Sequence, residues 1–341
     1  MTKAWLPTLF LTGTLLLAPG CDSSKPDLSY QDQAIPNAID MHLHTGEWAL
    51  IPRRTQAYLA SKFPFPFSLN PAKLADDTLS AEGILDQMDG AGIDKAVLLA
   101  VYAPNSVGIT KNEWMIQEIE QAPERFYGFA SVQVDEWDDD EEAQLNGLKE
   151  ALAHPQVIGI KLAHAHQDFE MNDPRFYSIY EVAGEAKTPV YLHTGSSPFP
   201  GTIDAEKHTD AAYLEEAISA YPETVFILGH LGFDFINQNE GTLENCIDLA
   251  KRYPNVYLEP SAMGSKGADP TGEYYALALT RIKEEGLIDR LIYGSDGPQY
   301  PGFLKDYASR TLDAMANAEF TLEEANAFFY ENFVRVFGVE Q

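Results

Sequence analysis

Eight short apolar runs, each followed by a longer amphipathic stretch, recur along this 341-residue chain from Pro36 onward. The runs fall at 38–41, 95–101, 126–134, 157–162, 190–193, 225–229, 256–259 and 291–293. They carry few polar alternations, as strands do when both faces of a parallel sheet are covered. The stretches at 79–91, 141–153, 173–186, 210–221, 243–253 and 273–285 space their apolar residues near three to four, which predicts helices. Tyr221-Pro222 and Tyr253-Pro254 each stop a helix just before a strand. Eight strand–helix units over some 300 residues predict an α/β fold of the (β/α)8 TIM-barrel type. The rival, a doubly wound open sheet, would show a Gly-rich turn after its first strand; here that strand runs into His42-Leu43-His44. The first connection, 45–73, is unusually long and carries Trp48, Arg53, Arg54, Tyr58 and three closely spaced phenylalanines. It reads equally as a substrate lid or as a loop packed on its own aromatics.

The first 20 residues stand outside this pattern. Lys3 precedes an apolar run at 9–18 that is short for a membrane span, and small residues lead to Cys21. The stretch resembles a bacterial lipoprotein signal peptide over residues 1–20, with Cys21 as the lipid-carrying N-terminus, then a polar linker over 21–34 and the barrel over 35–341. The expected location is the cell envelope, lipid-anchored and facing the periplasm, with the membrane touched through the anchor only. Ordinary secretion with a free Cys21 is the competing reading. Cys246 is the only other cysteine, so no disulfide framework exists, and it reads as a small core residue. The formal charge of −29 excludes broad nucleic-acid binding, which needs clustered Lys and Arg. The acidic run at 135–142 reads as a solvated loop whose last members favour the next helix N-terminus.

Chemistry concentrates at the ends of the apolar runs. His42 and His44, two apart on a strand, point to one side and can converge on one ion. Alone the pair is weak evidence, since His164 and His166 repeat the spacing. The fourth run ends near Lys161, the fifth in His193, the sixth leads to His230 and the eighth to Asp296. In a parallel barrel all these ends open on one face, so together they predict a polar site.

The motifs IDMHLH, GIKLAH, VYLHTG, FILGHLG, YGSDGP and the closing NFVRVFG resemble the amidohydrolase superfamily. The branch is the amidohydrolase-related one that also contains aminocarboxymuconate-semialdehyde decarboxylase. The resemblance implies His42, His44, His193 and Asp296 as metal ligands, with Asp296 also handling a proton. It places His230 beside the activated water or the substrate's polar oxygen. It implies a divalent metal, with zinc suiting neutral imidazoles and a carboxylate, and one ion favoured. A second ion would follow if Lys161 were carboxylated and bridging; otherwise Lys161 is a cation facing the substrate's carboxylate, or a buried ion pair. Many relatives have His-Pro after this strand, whereas this chain has Ala163-His164-Ala165-His166, two extra imidazoles near the mouth that read as substrate contacts or, the favoured expectation, as exposed loop residues. The implied activity is hydrolysis of a C–N or C–O bond in a small molecule such as an amide, lactone or cyclic imide. The alternative is non-oxidative decarboxylation of a small unsaturated or aromatic acid, and a third reading is a non-catalytic binding lipoprotein. A homo-oligomer stays open.

Overall fold

The computed structural model describes residues 28–63, 65 and 67–339. The expected signal peptide and Cys21 lie outside the described residues. Seven parallel strands stand side by side in chain order: β1 (Ile39–His44), β2 (Lys95–Leu99), β3 (Phe126–Ala130), β4 (Val157–Leu162), β5 (Val190–His193), β6 (Phe226–Gly229) and β7 (Val256–Glu259). Helices connect them and cover the outside, as the apolar runs require if the strands are buried on both faces. The eighth apolar run closes the barrel, but as bridges and not as the full strand expected. Ile292 N–H donates to Leu258 O (2.9 Å), Met41 N–H to Tyr293 O (3.0 Å) and His44 N–H to Gly297 O (2.6 Å). Asp296 adopts φ 65° and Pro298 lacks an N–H, so the backbone beyond Tyr293 cannot continue an extended ladder.

One irregularity in β1 decides where the histidines point. Asp40 pairs with Ala96 and Leu43 with Leu98, so β1 spends one residue more than β2 over the same rise: a bulge. Before it, Ile39 and Met41 point into the barrel and pack with Val97 and Phe129. After it the phase is reversed: Leu43 joins the outer core between sheet and helices, and His42 and His44 turn inward. Asp40 clamps the bulge. Its Oδ1 accepts from the backbone N–H of His42 (3.1 Å) and of Ser295 (3.0 Å), tying β1 to the closing segment. Burial raises the Asp40 carboxyl to about 7.

The lower end of the barrel is stopped by the C-terminal helix Asn332–Phe337. Phe333 joins the interior cluster and stacks on Phe337 (4.4 Å), which meets Phe129 (5.4 Å). The buried Asn332 donates from Nδ2 to Ile288 O and Leu291 O, both at 2.7 Å, and so holds the closing segment in place.

Other expectations shift at element ends. Ser80 caps Ala81–Ala91 by accepting from Gly83 N–H, and the 79–80 boundary is a junction with a second helix, Pro71–Leu79, capped by Asn70. The first connection is therefore no open loop. It contains this helix and another, Arg53–Lys62, which carries Tyr58, while Trp48 packs against Phe63 at the helix end (6.5 Å). The acidic run is likewise no open loop: Asp135 and Glu136 lie in a 3-10 turn, and the helix Trp137–Leu152 breaks at Asp140 (φ −156°, ψ 63°), whose Oδ1 accepts from Ala143 N–H (3.1 Å) and caps the stretch from Glu141, where the sequence places the helix start. Arg175 bridges Asp138 and Asp173 there. Residues 28–34, read as the end of a polar linker, form a two-stranded hairpin of Ser29–Tyr30 with Gln33–Ala34, docked by Tyr30 Oη on Phe320 O (2.9 Å). Cys246 is fully buried, its thiol pushed up to about 12 by burial, as its core reading predicts. No helix among the described residues is long and apolar enough to cross a membrane.

Candidate active site

The upper end of the barrel gathers five of the predicted side chains, and Asp296 sits at their centre. Its Oδ1 lies 3.0 Å from His42 Nε2 and 3.0 Å from His44 Nε2. His42, His230 and Asp296 form the tightest group, with one ligand atom from each within 4.8 Å of the others. His193 stands one ring further out, its centroid 4.4 Å from that of His230. Its Nε2 is sealed from solvent and has no partner among the described residues. Lys161 is buried; its Nζ lies 3.5 Å from His42 Nε2 and 3.9 Å above the Tyr191 ring.

Beneath this layer lies a second one that the sequence reading missed. Glu259, fully buried at the end of β7, accepts from Tyr191 Oη (3.0 Å) and Ser261 Oγ (2.8 Å) and lies 3.4 Å from His42 Nδ1. Two glycines make room for it. A Cβ on Gly294 would sit 1.9 Å from Glu259 Oε1, and one on Gly229 would sit 1.7 Å from Tyr191 Oη. The signal was available: the seventh run ends in Glu as the fifth ends in His, and the glycines stand inside FILGHLG and YGSDGP.

This layer fixes the imidazole tautomers. Ser261 O is an acceptor only, so His230 Nδ1, 3.1 Å away, must be its donor. Ser261 Oγ spends its proton on Glu259, so His42 Nδ1 (3.0 Å) donates towards Ser261 and Glu259. His230 then presents an unprotonated Nε2, oriented by the groups behind it. His42 donates at both ends, because its Nε2 also lies 3.0 Å from the Asp296 carboxylate; burial and Lys161 lower its pKa, but Asp296 and Glu259 outweigh them and raise it, and a cation bound here would take the place of the Nε2 proton. Burial lowers His230 to about 4 and Lys161 to about 7, and drives His193 well below its ordinary value. Burial alone would raise the Asp296 carboxyl, but the charge and hydrogen bonds of His42, with those of His44, hold it well below the carboxylate range. Imidazole nitrogens and one carboxylate, with His193 Nε2 left unpartnered, fit a divalent cation.

The paired histidines after β4 correct an expectation. His164 and His166 are buried, not exposed. His164 stacks on Phe169 at 4.3 Å, and His166 meets the His193 ring edge-on at 4.9 Å. Their short helix, His164–Gln167, packs against β5 and is pinned by Gln167, which accepts from Ala163 N–H (2.8 Å) and donates to Val132 O (2.8 Å).

The amidohydrolase family model matches residues 39–339. The chain belongs to the amidohydrolase family. It is therefore a metal-dependent enzyme of that superfamily, acting on a small molecule, on an α/β barrel whose upper end carries the residues described above. Solved structures share the amidohydrolase fold at low identity. A probable 2-pyrone-4,6-dicarboxylic acid hydrolase from Acinetobacter baumannii, with citric acid bound, is 18% identical, with TM-score 0.61, covering 89% of this chain and 100% of its own. A 2,6-dihydroxybenzoate decarboxylase with 2,6-dihydroxybenzoate bound is 17% identical, with TM-score 0.59 and coverage of 89% and 98%. A 5-carboxyvanillate decarboxylase from Novosphingobium aromaticivorans, complexed with manganese, is 16% identical, with TM-score 0.59 and coverage of 89% and 96%. No curated protein sequence matches the chain.

Proposed function

We propose that this enzyme hydrolyses a C–N or C–O bond of a small molecule such as an amide, lactone or cyclic imide. The observation that carries the reading is the position of Asp296. It is the carboxylate shared by His42 and His44, and its side chain keeps 21% exposure towards the mouth, while Asp40 and Glu259 are sealed. A proton acceptor that touches both the donor set and solvent suits the activation of water.

In this reading His42, His44, His193 and Asp296 hold one divalent ion, zinc by donor type, with His230 at the same centre. The ion supplies Lewis acidity towards water and a carbonyl oxygen. Asp296 takes the proton from the attacking water and passes it to the leaving group. The hydrogen-bond accounting alters the role of His230. With its Nδ1 proton committed to Ser261 O, its Nε2 is an acceptor, able to ligate or to take a proton but not to donate to a developing oxyanion. That donation falls to Lys161, whose Nζ lies beside His42 at the floor of the mouth. As a donor, Lys161 stays uncarboxylated in this reading, which goes with one ion.

Turnover of a panel of lactones, amides, imides and aromatic acids in ¹⁸O-water tests this. Label in a new carboxylate is the expected result. Release of CO₂ with an unlabelled organic product would replace hydrolysis by decarboxylation for that substrate.

We also infer that the enzyme is a lipoprotein anchored through Cys21 and facing the periplasm. The support is the leader pattern, together with the sealing of Cys246, which leaves Cys21 as the cysteine open to acylation. Stable attachment needs two acyl chains or more. Cys21→Ser is expected to move the protein from the membrane to the soluble fraction on cell fractionation; membrane association equal to wild type would contradict the anchor.

A further inference from the structure

His166 belongs to none of the roles above, yet it is the residue by which the first connection reaches the site. Helix Arg53–Lys62 is tied to the loop after β2 by a hydrogen bond from the fully buried Thr55 Oγ1 to Ser106 O. Ser106, also fully buried, then contacts His166 twice: Oγ donates to His166 O (3.0 Å) and lies 3.2 Å from His166 Nδ1. A serine hydroxyl has one proton. Spent on the carbonyl, it leaves Oγ as acceptor, so Nδ1 must carry the ring proton. The opposite assignment would set two unshared oxygen lone pairs against each other at 3.0 Å.

The other nitrogen is therefore a lone pair with a fixed direction. His166 Nε2 has no partner among the described residues, and unlike His193 Nε2 it is not sealed from solvent; the residue keeps 8% exposure. The ring stands edge-on to His193 and 6.1 Å from Phe199, which in turn meets Tyr58 at 5.5 Å. The wall of the mouth on this side is thus aromatic, with one acceptor set in it.

We propose that His166 is a specificity-determining residue, offering Nε2 as an acceptor to a hydroxyl or N–H carried by a flat substrate whose face lies along Phe199. A site built to receive a hydrogen bond discriminates strongly against the analogue lacking it, because its own buried polar atom is left unpaired. The inference rests on the hydrolytic reading for its choice of probes.

Two measurements on the metal-loaded enzyme test it. In the first, ¹⁵N spectra of the histidine rings, with His166 assigned by its loss in His166→Phe, are expected to show a protonated Nδ1 and an unprotonated Nε2. Ser106→Ala should release the ring to a tautomer mixture. A wild-type ring protonated on Nε2 would overturn the proposal. In the second, phthalimide is compared with N-methylphthalimide, and a phenol-bearing aryl lactone with its unsubstituted parent, in ¹⁸O-water. The wild type is expected to favour the donor-bearing member by on the order of 100-fold or more in kcat/KM. His166→Phe should collapse the ratio to within a few-fold with metal content unchanged, and His166→Gln, which retains an acceptor, should restore part of it. A ratio equal in wild type and His166→Phe would overturn the proposal. Absence of label in both proteins would instead count against the hydrolytic reading, leaving the ring-nitrogen measurement, which needs no turnover, to decide.

Discussion

Asp296→Asn is expected to lower kcat by on the order of 10²–10⁴-fold, the span a positioned general base supplies. The amide keeps the shape of the carboxylate and can still accept from one of the two imidazoles that share Oδ1 at 3.0 Å. It cannot take a proton from water. Elemental analysis of the same preparations separates the two ways of losing activity. A variant that keeps its ion and loses turnover has lost the proton acceptor; one that loses both has lost a ligand. Retention of turnover within about threefold would remove Asp296 from the chemistry.

The largest effect on stability is expected at Asn332, far below the site. Asn332→Ala leaves Leu291 O buried without a partner, while Ile288 O keeps a bond from Leu291 N–H. An orphaned buried acceptor costs about 1–3 kcal/mol, and the lost side-chain packing adds to it. A destabilisation of about 2–4 kcal/mol is expected, seen as a fall in Tm of roughly 3–6 °C for a domain of this size. Asn332→Asp fills the same space but turns a carboxylate towards two carbonyl oxygens, so it should be at least as damaging. If the aspartate were benign, packing alone would explain the alanine, and the clamp would carry no energy.

These two residues also mark how far the sequence could be read. The strand ends are legible because a barrel puts polar residues there only for a reason, so His42, His44, Lys161, His193, His230 and Asp296 stand out against apolar runs. Glu259 follows the same rule at the end of the seventh run, but the family motifs that single out the other six residues do not include it, so its contact with His42 emerges only from the fold. The histidines at 164 and 166 look like a polar loop because composition cannot report that they lie in a four-residue helix packed against β5. The helix at 53–62 is hidden for a related reason: its average polarity is high and only Thr55 is buried, so no apolar stripe announces it. The eighth strand reads well as a run of apolar residues, yet Gly294 to Pro298 trade ladder hydrogen bonds for the turn that delivers Asp296.

The extra residue in β1 has a consequence for how this chain can change. Alternation along a strand ordinarily locks every position to one of two sides, so a demand made at one end is felt at the other. Here the strand changes phase between Asp40 and Leu43, and its two halves answer to different masters. Ile39 and Met41 can drift among apolar residues to suit the plug of Phe333 without disturbing the imidazoles, and His42 and His44 can serve the mouth without leaving holes below. Regular alternation of these same residues, continued from Ile39 and Met41 without the bulge, would instead turn both imidazoles into the helix layer and Leu43 into the mouth. The bulge is thus a partition between the part of β1 that answers to folding and the part that answers to chemistry.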